Sequence, residues 1–304
     1  MFDLFKRAPK PKLLWQFSSP THYVWRVMFL DNGLLIGEHR AAKERKVSFF
    51  LLDDASGKPL WMNFVLTDSA SQKPIGEGWW VGIETVHRDL FYLHGYYSPS
   101  TPEHLGIWAF DAKTKTHKWE RQDVGFLCMV GDEMLVYRNI LVEGFMERAF
   151  LVLDPMTGKE IRKFSADGLL ANQMRVSAPN FEQEQGVTLP DKVLPSSNRF
   201  AELQAKTKHL FPSAKLVDGL DVITTNEKFI IGFHEQTSNM VKTQSGQPLP
   251  ALDYTMRVFS NGGDLLFEDK LGKTMSGLLA DGFFVRGNKL YYVKERETLC
   301  AAAL

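Results

Sequence analysis

The chain is a succession of short apolar runs separated by polar turns, the pattern of strands rather than of long helices. A phrase recurs within it: an apolar strand, a turn rich in Asp, Thr or Gly, then a second strand with an aromatic or large residue at its centre. Full copies run from Phe49 to Phe64 with Asp53, Gly57 and Trp61, from Ile107 to Arg121 with Asp111, Thr114 and Trp119, from Phe150 to Phe164 with Asp154, Thr157 and Gly158, and from Met256 to Lys270 with Asn261, Gly262 and Phe267. Each predicts a hairpin. A second hairpin with a tight polar turn precedes each, at Asp31 to Gly33, His87 to Asp89, Gly131 to Glu133 and Thr225 to Lys228. Four strands per repeat are the content of a propeller blade.

A fifth repeat is divided between the two ends of the sequence. Phe283 to Val285, Leu290 to Val293 and Thr298 to Ala302 predict three strands, and Leu13 to Phe17 reads as the missing fourth. Pairing them would remove two exposed sheet edges. The expectation is therefore an all-β chain, a single five-bladed β-propeller over residues 1–304, closed by its N- and C-terminal strands. Residues 165–214 break the period, with Pro179, Pro190, Pro195 and Pro212, and predict a partly helical insertion of about 50 residues on the face of the long loops. Asn198, with Phe200, Leu203, Thr207 and Leu210 on one stripe, predicts a short capped helix there. A degenerate sixth blade is the alternative.

The outer-hairpin phrase, Asp53 to Trp61 above all, resembles the repeat of quinoprotein-type (PQQ-like) propellers, Asp-x-x-Thr-Gly-Lys-x-x-Trp. The resemblance implies the architecture. It brings no cofactor, because the quinone, calcium and adjacent-cysteine features of the family's dehydrogenases have no counterpart in these residues.

Composition narrows the function classes. Lys plus Arg and Asp plus Glu number 36 each, so no net field favours nucleic acid or an anionic membrane. Cys128 and Cys300 match no metal or redox spacing and fit a reducing compartment, with Cys128 as a buried structural thiol. The first residues lack the apolar run of a signal peptide or membrane span, which points to the cytoplasm. Phe2 to Phe5 loosely resemble a sliding-clamp-binding motif without its leading Gln.

Every long connection is expected on one rim: Val65 to Glu77, Tyr96 to Leu105, Asn139 to Glu147, Ser165 to Ala214 and Gln236 to Leu252. The ligand-binding candidates are the residues that open first strands at this rim, His22, Tyr23, Trp25, Trp79 and Trp80, because aromatic faces with a few polar groups suit peptides, sugars or nucleobases. Arg26, Glu84 and Asp221 are charged positions on otherwise apolar first strands, expected to line a channel, with Arg26 and Glu84 pairing across a seam. His39 and His234 occupy equivalent places on second strands, with His94 one register off; their spacing predicts no metal site. No phosphate loop, zinc-protease helix or nucleophile elbow occurs. The favoured function is non-catalytic binding of a protein or peptide at the long-loop face. The alternative is a hydrolase of a carbohydrate or similar polar substrate using Asp123 and Asp218.

Overall fold

The computed structural model describes residues 10–165, 168–208, 215–242 and 246–304. Phe2 to Phe5 and Leu210 lie outside them. The described residues are mostly strand, in five sheets of four or five strands. They divide into two compact units, one of Thr21–Gln185, the other of Gly186–Leu304 with the N-terminal stretch ending at Pro20.

The second of these units begins with β1 (Lys12–Ser18), described below. The Thr21–Gln185 unit holds three four-stranded antiparallel meanders: β2 (Tyr23–Phe29), β3 (Leu34–Ala41), β4 (Lys46–Asp53) and β5 (Pro59–Phe64); β6 (Val81–His87), β7 (Leu90–Ser98), β8 (Thr101–Asp111) and β9 (Thr116–Arg121); β10 (Gly125–Val130), β11 (Glu133–Val142), β12 (Phe145–Leu153) and β13 (Glu160–Ser165). The recurring phrase is the third-to-fourth-strand turn of each. Asp53 Oδ1 accepts from the Ser56 amide at 2.8 Å, Asp111 Oδ1 from Thr114 at 2.9 Å and Asp154 Oδ1 from Met156 at 2.7 Å. Such Asx turns hold the bend that lets the chain reverse. Gly57 and Gly158 then take left-handed φ of 67° each, and Lys115 adopts the same region at 58° without being glycine.

The aromatic at the centre of the fourth strand docks one sheet on the next. Trp119 of β9 donates through Nε1 to the Pro155 carbonyl in the following sheet at 2.9 Å, and the Tyr92 hydroxyl reaches the same oxygen at 3.0 Å. Trp61 of β5 stacks on Phe64 and meets Phe91 edge-on. Two apolar cores result. One holds Phe49, Leu51, Ile83 and Phe91, the other Tyr92, Trp119, Val136 and Leu153. Burial of such side chains contributes about 1.5–3 kcal/mol each.

After β13 come α1 (Gly168–Ser177) and α2 (Phe181–Gln185). Both belong to this unit. α1 packs on β10 and β11. α2 reaches the first strands: Gln185 Oε1 accepts from the Phe29 amide at 2.7 Å and Glu184 Oε1 from the Thr85 hydroxyl at 3.0 Å.

In the other unit, β14 (Val187–Thr188) adds to β20 (Phe283–Arg286), and β15 (Asp191–Val193) adds to β16 (Leu216–Thr224). The segment expected as an insertion thus supplies a fifth strand to each of two sheets. Its helix α3 (Asn198–Lys206) is capped by Ser197, whose Oγ accepts from Phe200 at 3.2 Å, one residue before the expected cap. Phe200, Leu203 and Thr207 are buried as the stripe predicts. One sheet runs β15, β16, β17 (Lys228–Lys242), β18 (Pro248–Ser260), β19 (Leu265–Met275). The other runs β14, β20, β21 (Lys289–Lys294), β22 (Thr298–Ala303), β1, so β1 is the missing fourth strand of the split repeat.

Two expectations need correction. Tyr96 to Leu105 and Asn139 to Glu147 are extended hairpins rather than loops, because β7, β8, β11 and β12 continue into them, and within Gln236 to Leu252 β17 runs on to Lys242 and β18 begins at Pro248. Cys128 is half buried, and burial pushes its thiol up; Cys300 is the buried one. No helix among the described residues is long and apolar enough to cross a membrane.

Candidate functional site

The first strands of four sheets share one irregularity. A register shift falls between Val24 and Arg26 in β2, Ile83 and Thr85 in β6, Phe126 and Cys128 in β10, and Val217 and Leu220 in β16. Trp25, Glu84 and Leu127, and in β16 the pair Asp218 and Gly219, are therefore extra residues with no partner across the ladder. A bulge bends its strand and re-aims the side chain it carries.

At Trp25 the bulge puts an indole into solvent: the residue is 65% exposed, and Tyr23 two positions earlier is 37% exposed. Trp79 comes to the same place from the turn before β6. The chain there passes through left-handed φ at Gly76, Glu77 and Gly78, and the amides of Trp79 and Trp80 both donate to the Gly76 carbonyl, at 3.0 and 2.8 Å. Arg40 contacts both indoles, its guanidinium 5.1 Å from the ring centroid of each. Cation–π contact with both rings restrains the side chain. Arg40 also donates through Nε to Glu38 Oε1 at 2.6 Å and through Nη2 to the Val81 carbonyl at 3.1 Å. The second Glu38 oxygen accepts from the Ile83 amide at 3.1 Å. The buried Glu38 carboxylate is thus matched on both oxygens, and the shelf is tied to β3 and β6.

Of the five aromatic and histidine candidates, the structure brings Trp25 and Trp79 together and leaves Tyr23 exposed on the same strand. Trp80 turns toward Tyr96, its ring 5.8 Å away and edge-on, and Arg45 lies 5.8 Å from its ring centroid. His22 approaches His39 at 5.8 Å between ring centroids.

The charged residues of the first strands pair differently from expectation. Arg26 donates to the Ile83 carbonyl at 2.9 Å, not to Glu84. Glu84, re-aimed by its bulge, meets two histidines: Oε2 lies 3.0 Å from His104 Nδ1 and 3.2 Å from His94 Nδ1. The two imidazoles stack at 3.5 Å and 10°. Burial alone would raise the Glu84 carboxyl, but the two imidazoles, His104 first, outweigh it and hold the group down at about 2. Asp221 accepts from the Tyr254 hydroxyl at 2.8 Å and pairs with Lys192 at 2.6 Å.

His39 and His234 hold the equivalent places expected of them, each opposite the residue just before a bulge, Val24 and Val217. They belong to different units. Burial first, and then electrostatic interaction with His22, brings His39 down to about 4; burial first, opposed by Asp221, brings His234 down to about 4. His234 Nε2 accepts from the Leu279 amide at 2.9 Å, which needs the neutral ring. The folded state therefore favours the neutral form of both. Their contribution to stability is complete above the ordinary value of 6.5 and is lost as pH falls from there to about 4. Unfolding free energy is expected to drop through this window by on the order of 2–3 kcal/mol per histidine. Urea midpoints measured at pH 7, 5.5 and 4.5 check this, and equal midpoints would refute the neutral assignment.

Asp123 and Asp218 also lie in different units, and each is engaged. Asp123 is bidentate to Arg121 at 2.8 and 2.9 Å, and hydrogen bonding to Arg121 holds its carboxyl below the usual range. Asp218 pairs with Lys192 at 3.0 Å. Sequence reading missed Arg40, His104 and a cleft of about 180 Å³ in the Thr21–Gln185 unit, lined by Asp31, His87, Arg88 and Glu184 among others.

Comparison with known proteins adds little to this geometry. A family described as a domain of unknown function (DUF4905) matches residues 30–119, and no quinoprotein-type repeat family is matched. No curated protein matches. Among solved structures, the chain is similar to BamB from Moraxella catarrhalis, at 12% identity and a TM-score of 0.26 over 96% of this chain and 63% of that one, so it spans just under two thirds of BamB. It is likewise similar to a putative glycoside hydrolase from Bacteroides ovatus, at 10% identity and a TM-score of 0.32 over 97% of this chain and 93% of that one. A third is the mannose phosphorylase MPT-4 from Leishmania mexicana, at 10% identity and a TM-score of 0.26 over 98% and 89%. Likeness at these levels carries no argument about activity.

Proposed function

We propose that this chain is a non-catalytic five-bladed β-propeller that binds a protein or peptide partner through the shelf of Trp25, Arg40 and Trp79, with His22, Tyr23 and Trp80 at its margin. The observation that carries the reading is the exposed Trp25 indole, whose ring and that of Trp79 both contact the Arg40 guanidinium. An aromatic surface held in place by a buried ion pair costs little ordering entropy when it meets a partner. Tryptophan and arginine are also the residues that dominate binding energy at interfaces.

A second apolar feature favours a macromolecule over a small polar ligand. The tip of the β11–β12 hairpin exposes Leu141, Phe145 and Met146, with Phe145 75% exposed, at the same end of its sheet as Trp25 in its own. Adjacent exposed apolar side chains on a folded hairpin suit a partner surface. The hydrolase reading needs an acid and a base. Asp123 and Asp218 are each neutralised by a cation, and no observation favours that reading.

The test uses a phage-displayed peptide library panned against the full chain, with selected peptides titrated by fluorescence anisotropy. Trp25→Ala is expected to weaken the selected peptides about 30-fold or more while changing unfolding free energy by less than about 1 kcal/mol. Val176→Ser, on an exposed face of α1, serves as the control and leaves affinity unchanged. Peptides that bind Trp25→Ala as tightly as the parent would remove the shelf from the site.

A further inference from the structure

We propose that Glu84, His94 and His104 form a binding site for one divalent transition-metal ion of the zinc class. The inference does not rest on the peptide shelf, although Glu38 borders both, and failure of one leaves the other intact.

The donor atoms are already grouped. Glu84 Oε2 lies 3.0 Å from His104 Nδ1 and 3.2 Å from His94 Nδ1, and one donor atom of each residue falls within 4.8 Å of the others. An ion bound tetrahedrally at about 2.0–2.1 Å sets its ligand atoms about 3.3 Å apart. The two distances to the carboxylate oxygen match to within a few tenths of an ångström. Two imidazoles and one carboxylate suit zinc and its neighbours, whereas calcium and magnesium want oxygen ligands throughout.

The independent observation is the state of His94. Its side chain is only 4% exposed; among the described residues Nδ1 faces the Glu84 carboxylate at 3.2 Å, off the line of a good hydrogen bond, and Nε2 has no hydrogen-bond partner. A buried donor or acceptor left unmade costs about 1–3 kcal/mol. An ion at Nδ1 removes that deficit. The other nitrogen is placed for the outer-shell role that metal-bound histidines usually require, a carboxylate beside the distal N–H. Nε2 and Glu38 Oε2 border one space above Gly82, where a Cβ would sit 3.0 Å from the first and 3.1 Å from the second. Glycine at this position keeps the space open.

Parallel rings direct their Nδ1 lone pairs side by side, and a shared ion needs them to converge. His104 is the ring that turns. Its side chain is 32% exposed, and it sits beside the β7–β8 register shift at Gly95. Its open side leaves a fourth position for water or an exogenous ligand, the pattern of three-ligand zinc sites.

The experiment strips the full chain with a chelator and titrates it with Zn²⁺ by calorimetry and with Co²⁺ by visible absorption. The parent is expected to take up one equivalent, with the strong d–d bands of tetrahedral Co²⁺. His94→Ala and His104→Ala are expected to lose about 100-fold or more in affinity, beyond the 10–100-fold typical of an outer-shell partner. Glu84→Gln and Gly82→Ala should weaken binding less. His104 is part-exposed, so its variant keeps the fold, to be checked by circular dichroism, and decides the matter if His94→Ala does not fold. A parent that binds no stoichiometric metal, or a His104→Ala protein that binds as tightly as the parent through other histidines, overturns the site.

Discussion

Arg40→Met is expected to destabilise the protein by about 3–5 kcal/mol, the loss typical of removing one partner of a buried ion pair. Glu38 is almost wholly buried, and without Arg40 the Ile83 amide alone remains to its carboxylate among the hydrogen bonds described above. The two indoles lose the cation they share at the same time. Arg40→Lys should fall between parent and Met, because a single ammonium cannot reach both Glu38 and the Val81 carbonyl while contacting both rings. The double variant Glu38→Gln with Arg40→Met should recover at least half of the loss, since no uncompensated charge remains buried. Urea unfolding followed by tryptophan fluorescence measures all three. An Arg40→Met protein within about 1 kcal/mol of the parent would mean that Glu38 is not the charged anchor described here.

The other large effect lies in the Gly186–Leu304 unit and the strand it borrows. Trp15 and Phe17 point into that sheet's buried face, with Trp15 edge-on to Tyr291 at 6.2 Å, while Leu13 and Leu14 on the same strand stay exposed. Trp15→Ala should cost about 3–5 kcal/mol, as large-to-small core changes do. Leu14→Ala should cost less than about 1 kcal/mol. Denaturant midpoints compare the two directly, and equal losses would show that β1 lends its backbone to the sheet without lending a core.

Much of the fold was legible because its signals are local. The Asp-led turns at Asp53, Asp111 and Asp154 announce themselves by side-chain chemistry that needs no neighbour, and the split repeat is visible because each half is incomplete alone. The bulges were not legible. A period-2 reading assumes that alternation holds along each first strand, and one extra residue at Trp25, Glu84 or Leu127 shifts every assignment after it. Glu84 was recognised as an anomaly and paired with Arg26, the opposite charge one sheet away. What it meets is His104, twenty residues on across two hairpins, a contact that only the register shifts in β6 and β8 create. His94 is one register off from His39 and His234, as the sequence indicates, and that offset is what brings it to Glu84 rather than away from it. The shelf was half visible: four aromatic residues point to it, but Arg40 sits at the end of a second strand, where nothing in its neighbours marks it as the cation that two of them share.

The pairing of β1 with β22 joins residues almost a whole sequence apart: the hydroxyls of Ser18 and Thr298 meet across 280 positions. At a synthesis rate of about 5–20 residues per second, β1 waits tens of seconds for its partner after leaving the ribosome. During that wait the Thr21–Gln185 unit, which is continuous in sequence, has all of its strands to hand, while Trp15 and Phe17 have nowhere to go. The sheet that contains β1 is therefore the last to be completed. Until then its two apolar anchors are the exposed hydrophobic surface that a nascent chain offers to chaperones or to other chains.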